Sequence, residues 1–363
     1  MNIKYIFKSG RKLRLNSVDN YPKEFFYGYH ELLKKGISVD ILEEDDLGIT
    51  NNINLRKKCI NFLSKLAGNF PLMHFLNLIK KKNIRILKET NIIIVTTYSF
   101  GLALGALDVF GFLKKPTIFI VMGLIPIKKN YVKKFLCKIL LKNIEIICIS
   151  KNEQYFLRKI FPKKNISYIP FGVDKNFWKP NLITKDKYNY VLAIGNDYAR
   201  DWKTLLEAWQ ADFPDLRLIT GLPIKNTKNN IFLKRGCWGE QALQDKEILD
   251  LYLNASFVII PLKETIQPSG QSCCLQAMAC GKPVIISKTR GIWDDDLLKH
   301  NDNLLFVKPN SKKDLQQAIT NLINDKKLYE KLSINGRNLV EEHFNTEKMS
   351  YYLEQNINSM NID

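Results

Sequence analysis

The segment best suited to chemistry is 268–285, PSGQSCCLQAMACGKPVI. Pro268, Ser269 and Gly270 break whatever precedes them. Leu275, Met278 and Ala279 follow at helical spacing, and Gly281 stands just past the helix, where a missing Cβ tolerates φ > 0. The spacing predicts a loop, a short helix and then a strand through Val284-Ile285-Ile286. A glycine-containing loop that opens a helix presents several unpaired N–H groups and the positive end of the helix dipole. That chemistry suits a phosphate. The same residues also suit a plain turn of an α/β protein, and the rest of the chain has to decide between the two.

The surrounding elements alternate. In the first half, strands are predicted at 3–7, 37–42, 91–96, 116–122 and 144–150, with helices at 25–35, 63–82 (broken near Pro71), 131–141 and 153–161. The run NIIIVT at 91–96 is the continuous β-branched stretch of a strand buried on both faces, and Ser99 and Gly101 follow its carboxyl end. In the second half, strand 190–194, loop 195–202, helix 203–210 and strand 216–220 begin a second unit. Ile248, Leu251, Tyr252 and Ala255 recur at i, i+3, i+4, i+7, and strand 257–261 then leads into the phosphate-like loop. Alternation of this kind gives an α/β fold with parallel sheets. At 363 residues the chain has room for two domains with proper cores.

Composition narrows the partners. Net charge is +19, but residues 1–175 carry 31 Lys+Arg against 13 Asp+Glu, and residues 176–363 carry 24 against 23. The basic character therefore belongs to the first half. It suits an anionic membrane surface, a nucleic acid or an acidic substrate, or it reflects a chain rich in Lys, Asn and Ile throughout. No zinc spacing, helix-turn-helix pattern or basic–aromatic repeat accompanies the charge, so nucleic acid is not an expected partner. The segment 131–141, YVKKFLCKILL, sets Phe135, Ile139 and Leu140 against Lys133, Lys134 and Lys138. That pattern fits both a lipid interface and a packed helix with a solvated face. Seven scattered cysteines lack metal spacing, which is expected of a reducing, cytoplasmic compartment. The first residues have too short an apolar core for a signal peptide, and the longest apolar stretch, 117–127, is too short to span a bilayer. If the protein meets a membrane, it is expected to lie peripherally on the inner face of the cytoplasmic membrane.

Two segments carry a family resemblance. The run Leu275-Gln276-Ala277-Met278-Ala279-Cys280-Gly281-Lys282-Pro283-Val284 resembles the donor-site signature of retaining GT-B glycosyltransferases, glycosyltransferase family 4 (glycosyl transferases group 1). The run Ile169-Pro170-Phe171-Gly172-Val173-Asp174, with Phe177 and Pro180, resembles that family's domain junction, with Phe171 in place of its asparagine. The chain departs from the pattern at both family carboxylates. Gln276 stands where the second glutamate is usual, and the first falls near Pro268, with Glu264 and Gln267 the nearest polar residues.

The resemblance implies two Rossmann-like domains facing across a cleft: 1–175 on the acceptor side, 176–345 binding the nucleotide-sugar, and 346–363 as a terminal helix returning toward the first. It implies a retaining hexosyltransferase that uses a nucleotide-diphosphate sugar, UDP- or GDP-linked, and a glycan or lipid-linked saccharide acceptor, with no metal or other cofactor. Gly195 ends the first strand of the second domain. Arg200 takes the place of the family's diphosphate-clamping lysine, with Lys203 in reserve, and Asn196 takes that of its arginine. Trp238 falls near the nucleotide base. Ser269, Gly270, Gln271 and Ser272 would hold the distal phosphate or sugar, and Gln276 the ribose hydroxyls. Alternatives are a nucleotide-sugar-binding protein of the same fold with weakened transfer, or an epimerase or inverting transferase, for which Asp108 is the best candidate base.

Overall fold

The computed structural model describes residues 1–16, 21–49, 55–125, 131–180, 190–225, 228–236 and 243–360. Lys128, Lys129, Cys237 and Trp238 lie outside them. The chain divides into two compact units. One is Met1–Asp19, Phe26–Ile169 and Ser350–Asp363; the other is Asn20–Phe25 and Pro170–Met349.

The first unit is built on a parallel sheet of β1 (Asn2–Phe7), β2 (Ser38–Glu43), β3 (Ile92–Val95), β4 (Thr117–Val121), β5 (Glu145–Cys148) and β6 (Ile166–Tyr168), in the order β2-β1-β3-β4-β5-β6. Its helices are α1 (Arg11–Leu15), α2 (Tyr29–Lys34), α3 (Leu55–Leu66), α4 (Leu72–Leu78), α5 (Lys81–Lys88), α6 (Tyr98–Val109), α7 (Tyr131–Leu140) and α8 (Lys151–Ile160). β3 is buried along its whole length because helices cover both faces of the sheet. The predicted helix at 25–35 is instead a 3₁₀ turn, Glu24–Phe26, followed by α2. Tyr27 and Gly28 between them have φ of 49° and 83°, which no helix accommodates. The break predicted at Pro71 separates α3 from α4. The small residues after β3 belong to α6, whose first turn holds Ser99 and whose cap, Thr97, is extended.

α6 is apolar all round and buried along most of its length, which puts its glycines at points of close approach. A Cβ on Gly105 would stand 2.0 Å from the carbonyl oxygen of Leu140, at the end of α7. α7 turns Cys137 and Leu140 inward and leaves Phe135 and Ile139 exposed. Both readings of its amphipathic pattern therefore find residues to support them. One apolar set packs, and another faces outward beside the lysines.

The second unit is built on β7 (Tyr190–Ile194), β8 (Leu216–Ile219), β9 (Ile231–Lys234), β10 (Ala255–Ile260), β11 (Val284–Ser287) and β12 (Leu305–Val307). Their order is β12-β11-β10-β7-β8-β9, again all parallel. Its helices are α9 (Trp202–Ala208), α10 (Asp245–Asn254), α11 (Gln271–Ala279), α12 (Lys312–Asn324) and α13 (Lys326–His343); α14 (Thr346–Asn358) begins in this unit and ends in the first. Side-chain caps start several of them: Asp201 accepts from Thr204 N, Ser311 from Asp314 N and Asp325 from Leu328 N. In the sheet the order runs outward in both directions from the β7–β10 pair. The loops after these two strands therefore flank the topological switch point, where open α/β sheets leave a crevice at their carboxyl edge. Among the described residues no helix is long and apolar enough to cross a membrane.

In an exposed helix, glycine to alanine stabilises by about 0.5–1 kcal/mol. Gly105→Ala should do the opposite, costing about 1–3 kcal/mol as α6 is forced away from Leu140. Denaturant titration against the wild-type chain checks the sign.

Candidate functional site

The loop after β7 and the loop after β10 meet on one side chain. Arg200 closes the first loop, with its N–H donating to Asp197 O and its residue bridging to Leu262 just beyond β10. Asp201 N donates to Pro261 O and Lys263 N to Ala199 O, so backbone hydrogen bonds lace the two loops together. The guanidinium is 3% exposed. It lies flat between two glycines. A Cβ on Gly195 (φ 150°) would fall 2.2 Å from its Nε, and a Cβ on Gly270 (φ 75°) 3.1 Å from NH1. At Gly195 only glycine admits the group, and at Gly270 a Cβ would also meet Ile260 Cγ2 at 2.6 Å in a left-handed position that favours glycine.

The partners of this guanidinium are few. NH2 donates to Cys273 Sγ at 3.3 Å, and Nε stands 3.0 Å from Asp197 Oδ2 as an ion pair outside hydrogen-bond geometry. NH1 is buried and has no partner. It faces the start of α11, whose cap residue is Gly270; no side chain caps that helix and no acidic residue stands in its first turn. A buried cationic donor without an acceptor is costly and rare. Beside the uncapped N-terminus of a helix it makes a site for an anion with several oxygens, such as a phosphate.

The structure thus brings together Gly195, Arg200 and Gly270, and with them Ser269, Gln271 and Ser272 on the loop and first turn of α11. It does not gather the others. Lys203 lies on α9 as a solvated partner of Glu207 at 3.9 Å, its side chain 84% exposed. Asn196 braces the backbone: Nδ2 donates to Gly236 O, and Oδ1 accepts from Gly221 N. Glu264 accepts from the N–H and Nε of Arg290. Gln276 is buried one turn into α11, with both ends of its amide taken by protein: Oε1 accepts from the Tyr252 hydroxyl at 3.3 Å and Nε2 donates to Glu24 at 2.9 Å. Trp238, expected near a nucleotide base, is outside the described residues. Asp197, Cys273 and Glu24 were not singled out from the sequence. The first two carry a signal in their nearness to Arg200 and Gly270 along the chain, and Glu24 carries none.

Asp108 closes the last turn of α6 and accepts from Asn143 Nδ2. α6 starts at the carboxyl end of β3 and runs back, so Asp108 stands at the sheet edge opposite to where ligands bind. His74 packs on Phe100 and meets Glu44 at 3.2 Å, its imidazole held below the usual value chiefly by burial. Asp294 is buried, and its Oδ1 accepts from Asp296 N and Leu297 N to close a turn. Among the described residues no cluster of three metal-ligating side chains occurs.

Comparison with known proteins bears on the fold. Residues 174–339 match the family model described as Glycosyl transferases group 1. An uncharacterized glycosyltransferase of Methanocaldococcus jannaschii is 26% identical over 134 residues, 37% of this chain and 32% of that protein, so the match spans about a third of the relative. Among solved structures, sucrose-phosphate synthase of Thermosynechococcus elongatus superposes with a TM-score of 0.71 at 17% identity, covering 98% of each chain. HepE of Anabaena, solved in complex with UDP and glucose, superposes with 0.67 at 15% identity over 99% of this chain and 100% of its own. A glycosyltransferase of Rickettsia africae gives 0.65 at 15% over 98% and 97%. At such identities the likeness is one of fold: the α/β architecture of two parallel six-stranded sheets is that of GT-B glycosyltransferases.

A buried guanidinium with an unmade hydrogen bond holds stability back, and an apolar replacement of similar length is often neutral or stabilising. Arg200→Met should leave the thermal midpoint of the unliganded chain unchanged or raised. Stabilisation by inorganic pyrophosphate, about 2.7 kcal/mol at a hundredfold excess over Kd for the wild type, should fall without vanishing, because the first N–H groups of α11 remain to hold the anion. Differential scanning fluorimetry with and without pyrophosphate reads both effects.

Proposed function

We propose that this chain is a retaining, metal-independent hexosyltransferase that moves a sugar from a nucleotide-diphosphate sugar to a saccharide or lipid-linked acceptor. One observation carries the reading: a buried arginine with a free donor, flanked by two glycines, at the uncapped start of the helix after β10. A diphosphate leaving group needs such a site. As the bond from the anomeric carbon to the phosphate oxygen breaks, its electron pair stays on that oxygen and negative charge grows on the diphosphate. Arg200 NH1 and the first N–H groups of α11 would hold that charge more tightly in the transition state than in the ground state. The acceptor hydroxyl would attack from the face the phosphate leaves, its oxygen bonding to the anomeric carbon and its proton passing to the departing phosphate oxygen, which retains configuration and requires no protein nucleophile. In this mechanism fixed dipoles and one cation do the work that a divalent ion does elsewhere. The family match over 174–339 supports glycosyl transfer, and the UDP and glucose bound to HepE support a uridine nucleotide as donor.

The outer face of the first unit supports a lipid-linked acceptor. The turn after α3 abuts α7, where a Cβ on Gly68 would stand 2.3 Å from Val132 Cγ1. Phe62, Leu63 and Leu66 on α3 and Val132, Phe135 and Ile139 on α7 are all exposed, with the exposed lysines Lys58, Lys65 and Lys138 on the same helices. Apolar and cationic side chains mixed on helical faces are suited to an anionic lipid interface.

Two measurements test these readings. In a transfer assay with UDP- and GDP-hexoses, Arg200→Ala should lower kcat by about 10²-fold while weakening nucleotide binding much less, as expected for a donor used mainly in the transition state. Gly270→Ala strains a left-handed position and crowds NH1, so it should abolish UDP binding with the circular dichroism spectrum intact. Unchanged binding and turnover in both variants would remove the donor site from this loop. For the lipid surface, sedimentation with anionic vesicles should exceed that with neutral ones, fall with salt, and fall again in Phe135→Asn/Lys138→Gln. Equal sedimentation with both vesicle types would sink the membrane reading.

A further inference from the structure

Glu24 lies far from α11 along the chain and touches it in the fold. The short segment Asn20–Phe25 belongs to the second unit, although the chain on either side of it belongs to the first. Glu24 on this segment is completely buried. Its Oε1 accepts from Gln276 Nε2 at 2.9 Å and from Trp178 Nε1 at 2.7 Å, and its Oε2 accepts from Asp174 N at 3.2 Å. Gln276 in turn accepts from the buried Tyr252 hydroxyl, and the rings of Trp178 and Tyr252 meet edge to face at 5.7 Å. The carboxylate sits among three donors, and among the described residues no lysine or arginine forms an ion pair with it.

We propose that Glu24 is a positioning residue of the donor site, holding α11 through Gln276, and that position 276 is an amide because Glu24 already supplies the carboxylate. This rests on the reading of α11 as the diphosphate helix. A glutamate at 276 would put two carboxylates within about 3 Å of each other in a buried site, where both cannot ionise. Gln276 resolves the conflict because its amide donates to Glu24 at one end and accepts from Tyr252 at the other.

The same geometry makes the contact sensitive to pH. Burial pushes the Glu24 carboxyl up to about 7, against the pull of its hydrogen bonds from Gln276, Trp178 and Asp174. Two of the titratable groups packed around it, Tyr252 and Cys280, keep their charge state through that range, and Lys282 titrates just above it. Asp174 Oδ1 is occupied by the N–H groups of Asn176 and Phe177, burial drives the Tyr252 hydroxyl far up, and it drives the Cys280 thiol to about 12. Near Cys280, Lys282 is pushed down to about 8 and donates to Leu253 O, and Arg337 holds the backbone of Trp178 and Ala279. With the folded value of Glu24 above the unfolded one, its contribution to stability is full below the unfolded carboxylate range and is lost as pH rises through about 7.

The test is a double-mutant cycle on Glu24→Gln and Gln276→Glu, read by calorimetry with UDP at pH 6 and pH 8. At pH 8, Gln276→Glu should weaken UDP binding by about tenfold or more, and at pH 6, where one carboxyl keeps its proton, by much less. Adding Glu24→Gln should bring affinity back to within about threefold of wild type at both pH values, since the pair again holds a single carboxyl. A side chain at 276 that met ribose would behave in the opposite way: the glutamate would bind UDP as well as or better than glutamine, and Glu24→Gln would not rescue it. Either result overturns the proposal. The indole N–H resonance of Trp178, assigned with Trp178→Phe, should titrate near pH 7 in the wild type and stay flat in Glu24→Gln; a flat wild-type trace also overturns it. Should the wild-type chain bind no UDP, the donor-site reading fails by itself. The pair is then judged on that resonance and on thermal midpoints, where recovery in the double variant upholds the pairing and its absence overturns it.

Discussion

The second unit depends on a guanidinium being buried where two strand-end loops converge. Burial of a cation is expensive unless its hydrogen bonds are made. Here Cys273 and Asp197 satisfy part of the group and NH1 is left without an acceptor. Much of the local sequence follows from accommodating it. A side chain at Gly195 would strike it and one at Gly270 would crowd it, and the backbone hydrogen bonds from Lys263 N to Ala199 O and from Asp201 N to Pro261 O keep the loops from parting. Stability surrendered at Arg200 is of the kind expected at a ligand site, where the missing partner arrives with the ligand.

α11 is held at its end and in its middle by different means. Its start carries no side-chain cap and no acidic residue in the first turn. Its end is fixed by Arg337 of α13, which donates to the carbonyls of Ala279 and Trp178, while Ser333 donates to Gly281 O. Its middle is fixed by the Gln276–Glu24–Trp178 cluster. A helix that offers N–H groups to a ligand works only if its axis does not move, and these contacts supply the rigidity that a short helix lacks by itself.

The first unit shows a different balance. Its interior is closely packed around α6, while its charge and several large apolar side chains face outward on α3 and α7. At the carboxyl edge of its sheet, Glu153 accepts from the N–H groups of Gly123 and Leu124, fixing the turn after β4. Burial raises that carboxyl even with both backbone donors on it. The Tyr27 hydroxyl donates to the sulfur of Met122, just past β4.

Local features of the chain were legible without coordinates. The β-branched run at 91–96, the repeat through Tyr252 and the breaks at Pro71 and Gly281 encode themselves through side-chain periodicity and backbone sterics, which act over a few residues. They were enough to yield two α/β units and the loop at 268–270. The helix expected at 25–35 starts only at Tyr29, because Tyr27 adopts a positive φ that nothing in its own side chain requires. What only the tertiary structure decided are meetings across sequence distance. Strand order sets β10 beside β7, which carries the Gly270 loop onto Arg200, and the amino-acid pattern contains no instruction about which strands become neighbours. Lys203 and Arg200 look alike three residues apart, yet one is solvated and the other buried, because only one of them falls between the two loops. Glu24 and Gln276 are each unremarkable in their local runs. Their pairing exists because the segment 20–25 crosses into the second unit, and burial there turns an ordinary carboxylate and an ordinary amide into groups that must satisfy one another.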